Sequence, residues 1–197
     1  MRRGQARPAA PRSAWRAGWL REARRVASPN FGARPPATTV DLVVVHSISL
    51  PPGEYGGDAI ERLFTNRLDE AADPYFATLR GLHVSAHFLV RRDGALLQFV
   101  SCDKRAWHAG ASVWRGRTDC NDFSIGIELE GLEGGTFEPA QYERLGLLVA
   151  SLAARYPIRA VAGHEHVAPG RKHDPGAGFD WTELERRVHD LMLDFVP

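Results

Sequence analysis

Imidazole is the usual protein ligand of zinc and a general base near neutral pH, and this sequence carries eight histidines. His46 closes a short apolar run, while His164, His166, His173 and Asp174 crowd one segment rich in glycine and proline. Loops that follow strands share one edge of a sheet, so the two groups can converge on a single metal ion. No HExxH and no close Cys/His signature accompanies them, and exposed loop histidines with ordinary N-capping aspartates remain the alternative. Glu128 is the general-base candidate, because it projects from a strand-like run beside Gly126, which leaves space; a solvated face on an edge strand is the competing reading for it and more so for Glu130. Lys172 has the charge to stabilise an oxyanion, or is a solvated loop lysine. Trp107 offers a flat apolar surface to a sugar ring, or covers the edge of the core. His83 and His87 flank a strand and read as structural histidines, and His189 as a surface residue. Cys102 and Cys120 have no activating partner and form no CxxC pair, which argues against thiol catalysis, a thiolate zinc site and a disulfide framework.

Something must hold these groups in place. Residues 40 to 46 are β-branched and almost continuously apolar, which predicts a strand covered on both faces. Residues 59 to 68 put Ile60, Leu63, Phe64 and Leu68 at helical spacing. Residues 84 to 92 and 95 to 100 flank Asp93-Gly94, a hairpin signal. Residues 123 to 130 alternate, with Ile125, Ile127 and Leu129 on one face and Glu128 on the other. A helix is predicted from Pro139 to Tyr156, a strand over 158 to 163, a loop over 164 to 179, and a last helix capped by Asp180 that buries Leu184, Val188, Leu191 and Phe195. The expected fold class is α/β, a central mixed β-sheet flanked by helices.

The length of 197 residues suits one such domain, and 44% hydrophobic with 25% charged residues is ordinary for a soluble protein. A net charge of +1 gives no reason to expect nucleic acid as a partner. No stretch is long and apolar enough to suggest a membrane partner, no signal peptide is visible, and a cytoplasmic location is expected. Residues 1 to 17 are rich in Arg, Ala and Pro; they read as a disordered tail preceding a domain over residues 18 to 197, with a weak electrostatic anchor as the alternative.

The same residues carry a resemblance. Gly18-Trp19-Leu20, Val44-Val45-His46-Ser47, Arg105-Ala106-Trp107-His108-Ala109-Gly110, Asn121-Asp122-Phe123-Ser124-Ile125-Gly126-Ile127-Glu128, Gly163-His164, Arg171-Lys172-His173-Asp174-Pro175-Gly176 and Phe179-Asp180-Trp181 occur in order. With these blocks the chain resembles the AmpD-type 1,6-anhydro-N-acetylmuramoyl-L-alanine amidases, within the amidase family that includes peptidoglycan recognition proteins. The resemblance implies that family's single-domain fold, one catalytic Zn2+ held by His46, His164 and Asp174, Glu128 as proton acceptor and Lys172 as transition-state stabiliser. It further implies an anhydro-muropeptide substrate cut between the lactyl group and L-alanine, a role in cytoplasmic muropeptide recycling, and a link to β-lactamase induction through muropeptide levels; a monomer is expected, although the sequence itself does not show oligomeric state. Ser47, His83 and Trp107 are expected to meet substrate, although Ser47, His83 and Asp119 depart from the residues common in the family. A catalytically silent binding module would lack a ligand, and a secreted wall amidase would carry a signal peptide.

Overall fold

The apolar run ending in His46 can be stable only where both of its faces are covered, and it lies inside a seven-stranded sheet. In the computed structural model, which describes residues 14–195, the strands are β1 (Arg24–Arg25), β2 (Leu42–Ile48), β3 (Phe88–Val90), β4 (Leu96–Gln98), β5 (Ser124–Glu130), β6 (Ala160–Gly163) and β7 (Asp194–Phe195). Their order across the sheet is β7-β6-β2-β5-β3-β4-β1. The central strands β6, β2, β5 and β3 are mutually parallel, and only β3 and β4 run antiparallel, as the hairpin around Asp93-Gly94. The sheet is therefore mixed, as the sequence leads one to expect.

The helices are α1 (Ala59–Phe64), α2 (Pro74–Ala77), α3 (Pro139–Ala153), α4 (His164–Val167) and α5 (Trp181–Val188). Val43, Val45, Ile125, Ile127 and Leu129 turn toward Leu145, Val149 and Leu152 of α3 and Leu184 and Val188 of α5. The other face is covered in two patches. Leu42 and Val44 meet Phe123, Ala160, Ala162 and Val167, and Leu89 and Leu97 meet Ile60, Leu63 and Phe64 of α1 and Phe76 of α2. Even-numbered residues of β2 and β5 thus face away from α3 and α5, and His46 and Glu128 are among them.

Two expectations shift. The last helix stops at Val188 rather than reaching Phe195: Met192 takes a left-handed φ of 48°, and Asp194 and Phe195 instead pair with Ala160 and Val161 at the sheet edge. Leu191 and Phe195 are consequently only partly buried. The second concerns the boundary expected between residues 17 and 18. Trp15 and Arg16 pair with Trp19 and Leu20 in a small hairpin, and Trp15 is 8% exposed within the main core. Its indole donates to Ser151 Oγ at 3.0 Å and packs edge-on against Phe88 and Tyr156. The packed unit therefore includes Trp15; the rest of the expected tail, residues 1 to 13, lies outside the described residues. Trp15→Ala is expected to cost about 3 kcal/mol or more, lowering the Tm by roughly 6–12 °C for a chain of this size. A calorimetric shift below about 2 °C would show that this hairpin does not carry core stability.

Candidate active site

Parallel pairing sets the floor of the site. Glu128 of β5 stands opposite His46 of β2 in register, so the two side chains are neighbours on one face. Gly163 of β6 pairs with Val45, and the chain turns directly into α4, which begins with His164. All three groups therefore sit at the C-terminal ends of adjacent parallel strands, where loops form an open crevice. β5 is the central strand and is buried along its whole length, so the edge-strand alternative for Glu128 and Glu130 does not hold.

Asp174 reaches the same point from the loop after α4. Expected as irregular throughout, that loop opens with the helical turn His164–Val167. Its return is pinned where Glu165 N donates to the Asp174 carbonyl at 2.9 Å. Gly134 N donates to the Pro175 carbonyl at 3.1 Å, and a Cβ on Gly176 would lie 2.6 Å from Gly134 N, so glycine is required there. The other two groups of the histidine-rich segment do not converge: His166 turns back to accept from Gly163 N at 2.9 Å and packs against Trp181, and His173 is exposed.

His46 Nδ1, His164 Nδ1 and an Asp174 carboxylate oxygen all lie within 4.8 Å of one another, and all three residues are buried. The separations are 3.0 Å between the two nitrogens and 3.2 and 3.1 Å to Asp174 Oδ2. The edge of a tetrahedral zinc site with Zn–N bonds of 2.0–2.1 Å is about 3.3 Å, so this triangle fits that ion with little movement. The chemistry of the donors points the same way. His164 Nε2 lies 3.1 Å from the Ala109 carbonyl, which can only accept, so its hydrogen sits there and Nδ1 presents a lone pair to the centre. Burial, then the neighbouring His164, pushes the His46 pKa down to about 4. Asp174 brings the third donor, its Oδ2 facing both Nδ1 atoms. Two imidazoles and one carboxylate form a donor set suited to a borderline divalent cation, and the cleft opens beside them.

Glu128 lines the same cleft, a cavity of about 320 Å³. Burial first, and the Asp174 charge second, push its pKa well above the usual glutamate value, against the pull of Lys172. Its Oε2 has no hydrogen-bond partner among the described residues, so one acceptor of this buried carboxylate remains available to a substrate or water. Lys172 also lines the cleft. Glu130, 2% exposed, serves the surrounding structure instead. It pairs with Arg91 Nη1 at 2.5 Å and accepts from Gly56 N at 2.7 Å, fixing the glycine-rich loop before α1.

Of the expected substrate contacts, Ser47 and Trp107 line the cleft, and the buried Ser47 hydroxyl has no partner among the described residues. His83 does not line it. Leu82 and Val84 on either side do, while His83 is exposed and borders an adjoining hollow beside Leu68 and Phe76. Asp119 is likewise exposed, in a left-handed turn with φ 58° away from the cleft. Sequence reasoning missed two groups. His108, in the same block as Trp107, places Nδ1 3.0 Å from His46 Nε2. Arg34, which lies in none of the matching blocks, donates to the carbonyls of Cys102, Asn121, Asp122 and Ser124 and so clamps the loops behind β5. The only signal for His108 was Gly126: a Cβ there would overlap the His108 ring.

Comparison with known proteins agrees with this geometry. The 1,6-anhydro-N-acetylmuramyl-L-alanine amidase AmpD of Citrobacter freundii is 53% identical over 173 residues, 87% of this chain and 92% of that protein. AmpD of Escherichia coli K12 is 53% identical over 169 residues, 85% and 92% of the two chains. A crystal structure of selenomethionine AmpD superimposes with a TM-score of 0.85 at 52% identity, covering 88% of this chain and 98% of that one. A more distant structure, E. coli AmiD with the substrate anhydro-N-acetylmuramic acid-L-Ala-D-gamma-Glu-L-Lys, has a TM-score of 0.55 at 32% identity, covering 78% and 60%. The sequence profile of the N-acetylmuramoyl-L-alanine amidases matches residues 36–177, which span β2, β5, β6 and every group of the cleft floor, and the chain belongs to that family.

Proposed function

We propose that this protein is a zinc-dependent amidase that cuts the bond between the lactyl group of 1,6-anhydro-N-acetylmuramic acid and the L-alanine of the stem peptide. The observation that carries the reading is the convergence of His46, His164 and Asp174 beside Glu128 on one cleft floor, in a chain 53% identical to an amidase named for that substrate. His46, His164 and Asp174 would hold the ion, which when bound supplies an acidified water and polarises the carbonyl under attack. Glu128 takes the proton of the attacking water. It then returns that proton to the alanine nitrogen, because an amine anion is too poor a leaving group. Lys172 brings positive charge to the oxygen that becomes negative as the tetrahedral centre forms.

Trp107 forms part of the wall against which the anhydro sugar packs, and Ser47 lines the same cleft next to His46. A pocket fitted to this compact bicyclic sugar excludes a muramyl group bearing diphosphate-uridine at the anomeric carbon. The protein would then act in the cytoplasm as a monomer in muropeptide recycling, and through the muropeptide level bear on β-lactamase induction. Both cysteines are free and buried, as suits a reducing compartment, and no helix among the described residues is long and apolar enough to cross a membrane. The amidase unit begins by Trp15, and the arginine-rich segment before it is dispensable for turnover. Measuring kcat/KM for an anhydro-muramyl tripeptide, the UDP-muramyl pentapeptide and polymeric wall tests the reading. The first should lead strongly; comparable values for the first two would overturn the recycling role and leave a muramoyl amidase.

A further inference from the structure

A hydrogen-bonded chain runs from the back of the metal-site candidate to a backbone carbonyl, and its directions can be read off one group at a time. Ser124 Oγ lies 2.6 Å from the Cys120 carbonyl oxygen. A carbonyl only accepts, so the single hydroxyl hydrogen of Ser124 is committed to it. The same Oγ lies 3.2 Å from His108 Nε2 and, having no hydrogen left, accepts from it. His108 therefore carries its hydrogen on Nε2 and is bare at Nδ1. That bare nitrogen meets His46 Nε2 at 3.0 Å, so His46 carries its hydrogen on Nε2. What remains bare is His46 Nδ1, the atom that faces His164 Nδ1 and Asp174. Each step follows from the one before because neutral imidazole has one donor and one acceptor.

We propose that His108 and Ser124 are positioning residues that set the tautomer and ring orientation of His46, so that its Nδ1 is ready to accept a divalent cation. This rests on the zinc reading above. His164 is fixed in one step, by the Ala109 carbonyl; His46 needs two, because its outer nitrogen faces a side chain able to hold its hydrogen on either ring atom. Ser124 removes that freedom. The device also explains a constraint on the neighbouring strand. Gly126 leaves room for the His108 ring, which a Cβ would enter, and Asn121 Oδ1 holds the His108 and Ala109 amides at 3.0 and 2.8 Å. One loop thus supplies the outer partners of both imidazole ligands, His108 Nδ1 for His46 and the Ala109 carbonyl for His164.

The test has two parts. Long-range 1H–15N correlation on the 15N-histidine-labelled full chain, freed of metal, should show both His46 and His108 with a pyrrole-type Nε2 and a pyridine-type Nδ1. Chelator competition should show zinc bound about 10–100-fold more weakly by His108→Leu, the usual cost of losing such an outer partner. His108→Asn places an amide oxygen near the Nδ1 position, where it can accept from His46, and should recover most of the loss. A His108 hydrogen on Nδ1 in the wild type would overturn the proposal, as would His108→Leu binding zinc as tightly as wild type. Failure of His108→Asn to do better than His108→Leu would reduce His108 to a packing residue and overturn it too. A wild-type protein with no affinity for zinc would instead overturn the zinc reading itself, and the assignment to His108 and Ser124 with it.

Discussion

Glu128→Gln is expected to lower kcat by roughly two or more orders of magnitude, the scale on which general acid-base groups act, and to leave zinc content and Tm near wild type. The expectation follows from where the carboxylate sits. Glutamine is nearly the same shape, so the buried floor between β2 and β3 stays packed, and none of the three metal donors is touched. What disappears is the ability to take a proton from water and hand it to the leaving nitrogen. The pH profile offers an independent check. Burial and the Asp174 charge raise the Glu128 pKa, and a base must be deprotonated to act, so a raised pKa moves the acid limb of kcat/KM to higher pH than an unperturbed glutamate would give. In the glutamine variant that limb vanishes from the residual activity. A variant that keeps a near-normal rate would assign the proton transfers to another group.

Removing the metal should be equally severe. A chelator is expected to abolish turnover and added zinc to restore it, while Asp174→Ala loses the metal at stoichiometric zinc because only two of the three protein donors remain. The variant leaves two imidazole nitrogens 3.0 Å apart and removes the third corner of the donor triangle. Zinc content by atomic absorption, measured beside activity, separates loss of metal from loss of fold. Full activity in a preparation free of metal would end the assignment.

The sheet was legible in the sequence for a simple reason. A run such as Leu42 to Val45 can be stable only between two covering layers, and Asp93-Gly94 announces a tight turn whatever surrounds it. Loop placement offered the approach of Asp174 to His46 only as one of two open readings, since it depends on Glu165 bonding to the Asp174 backbone and on close passage of Gly176 past Gly134; only the resemblance singled out Asp174 from its neighbours. The alternation in β5 placed Glu128 on the correct face but suggested water on that face. Periodicity reports that polar and apolar residues alternate, and it cannot report that an imidazole fills the gap above Gly126. Trp15 was hidden by its surroundings: among arginines, alanines and prolines a single tryptophan does not raise mean hydropathy, yet it buries enough surface by itself to bind the chain onto Phe88 and Tyr156. Composition averages over neighbours, and packing does not.

The pairing of His46 with Glu128 in the central ladder also bears on how the enzyme survives scarcity. In small domains built around zinc, losing the ion means losing the fold, and recovery waits on refolding. Here the two residues belong to strands flanked on both sides by partners, and core strands of this kind open in general only at close to the cost of global unfolding. If zinc is the ion held here, the emptied protein would keep the arrangement of its donors. A cell starved of zinc would therefore hold a standing stock of assembled but idle enzyme, and its return to work would be paced by the arrival of the ion rather than by synthesis of new chains.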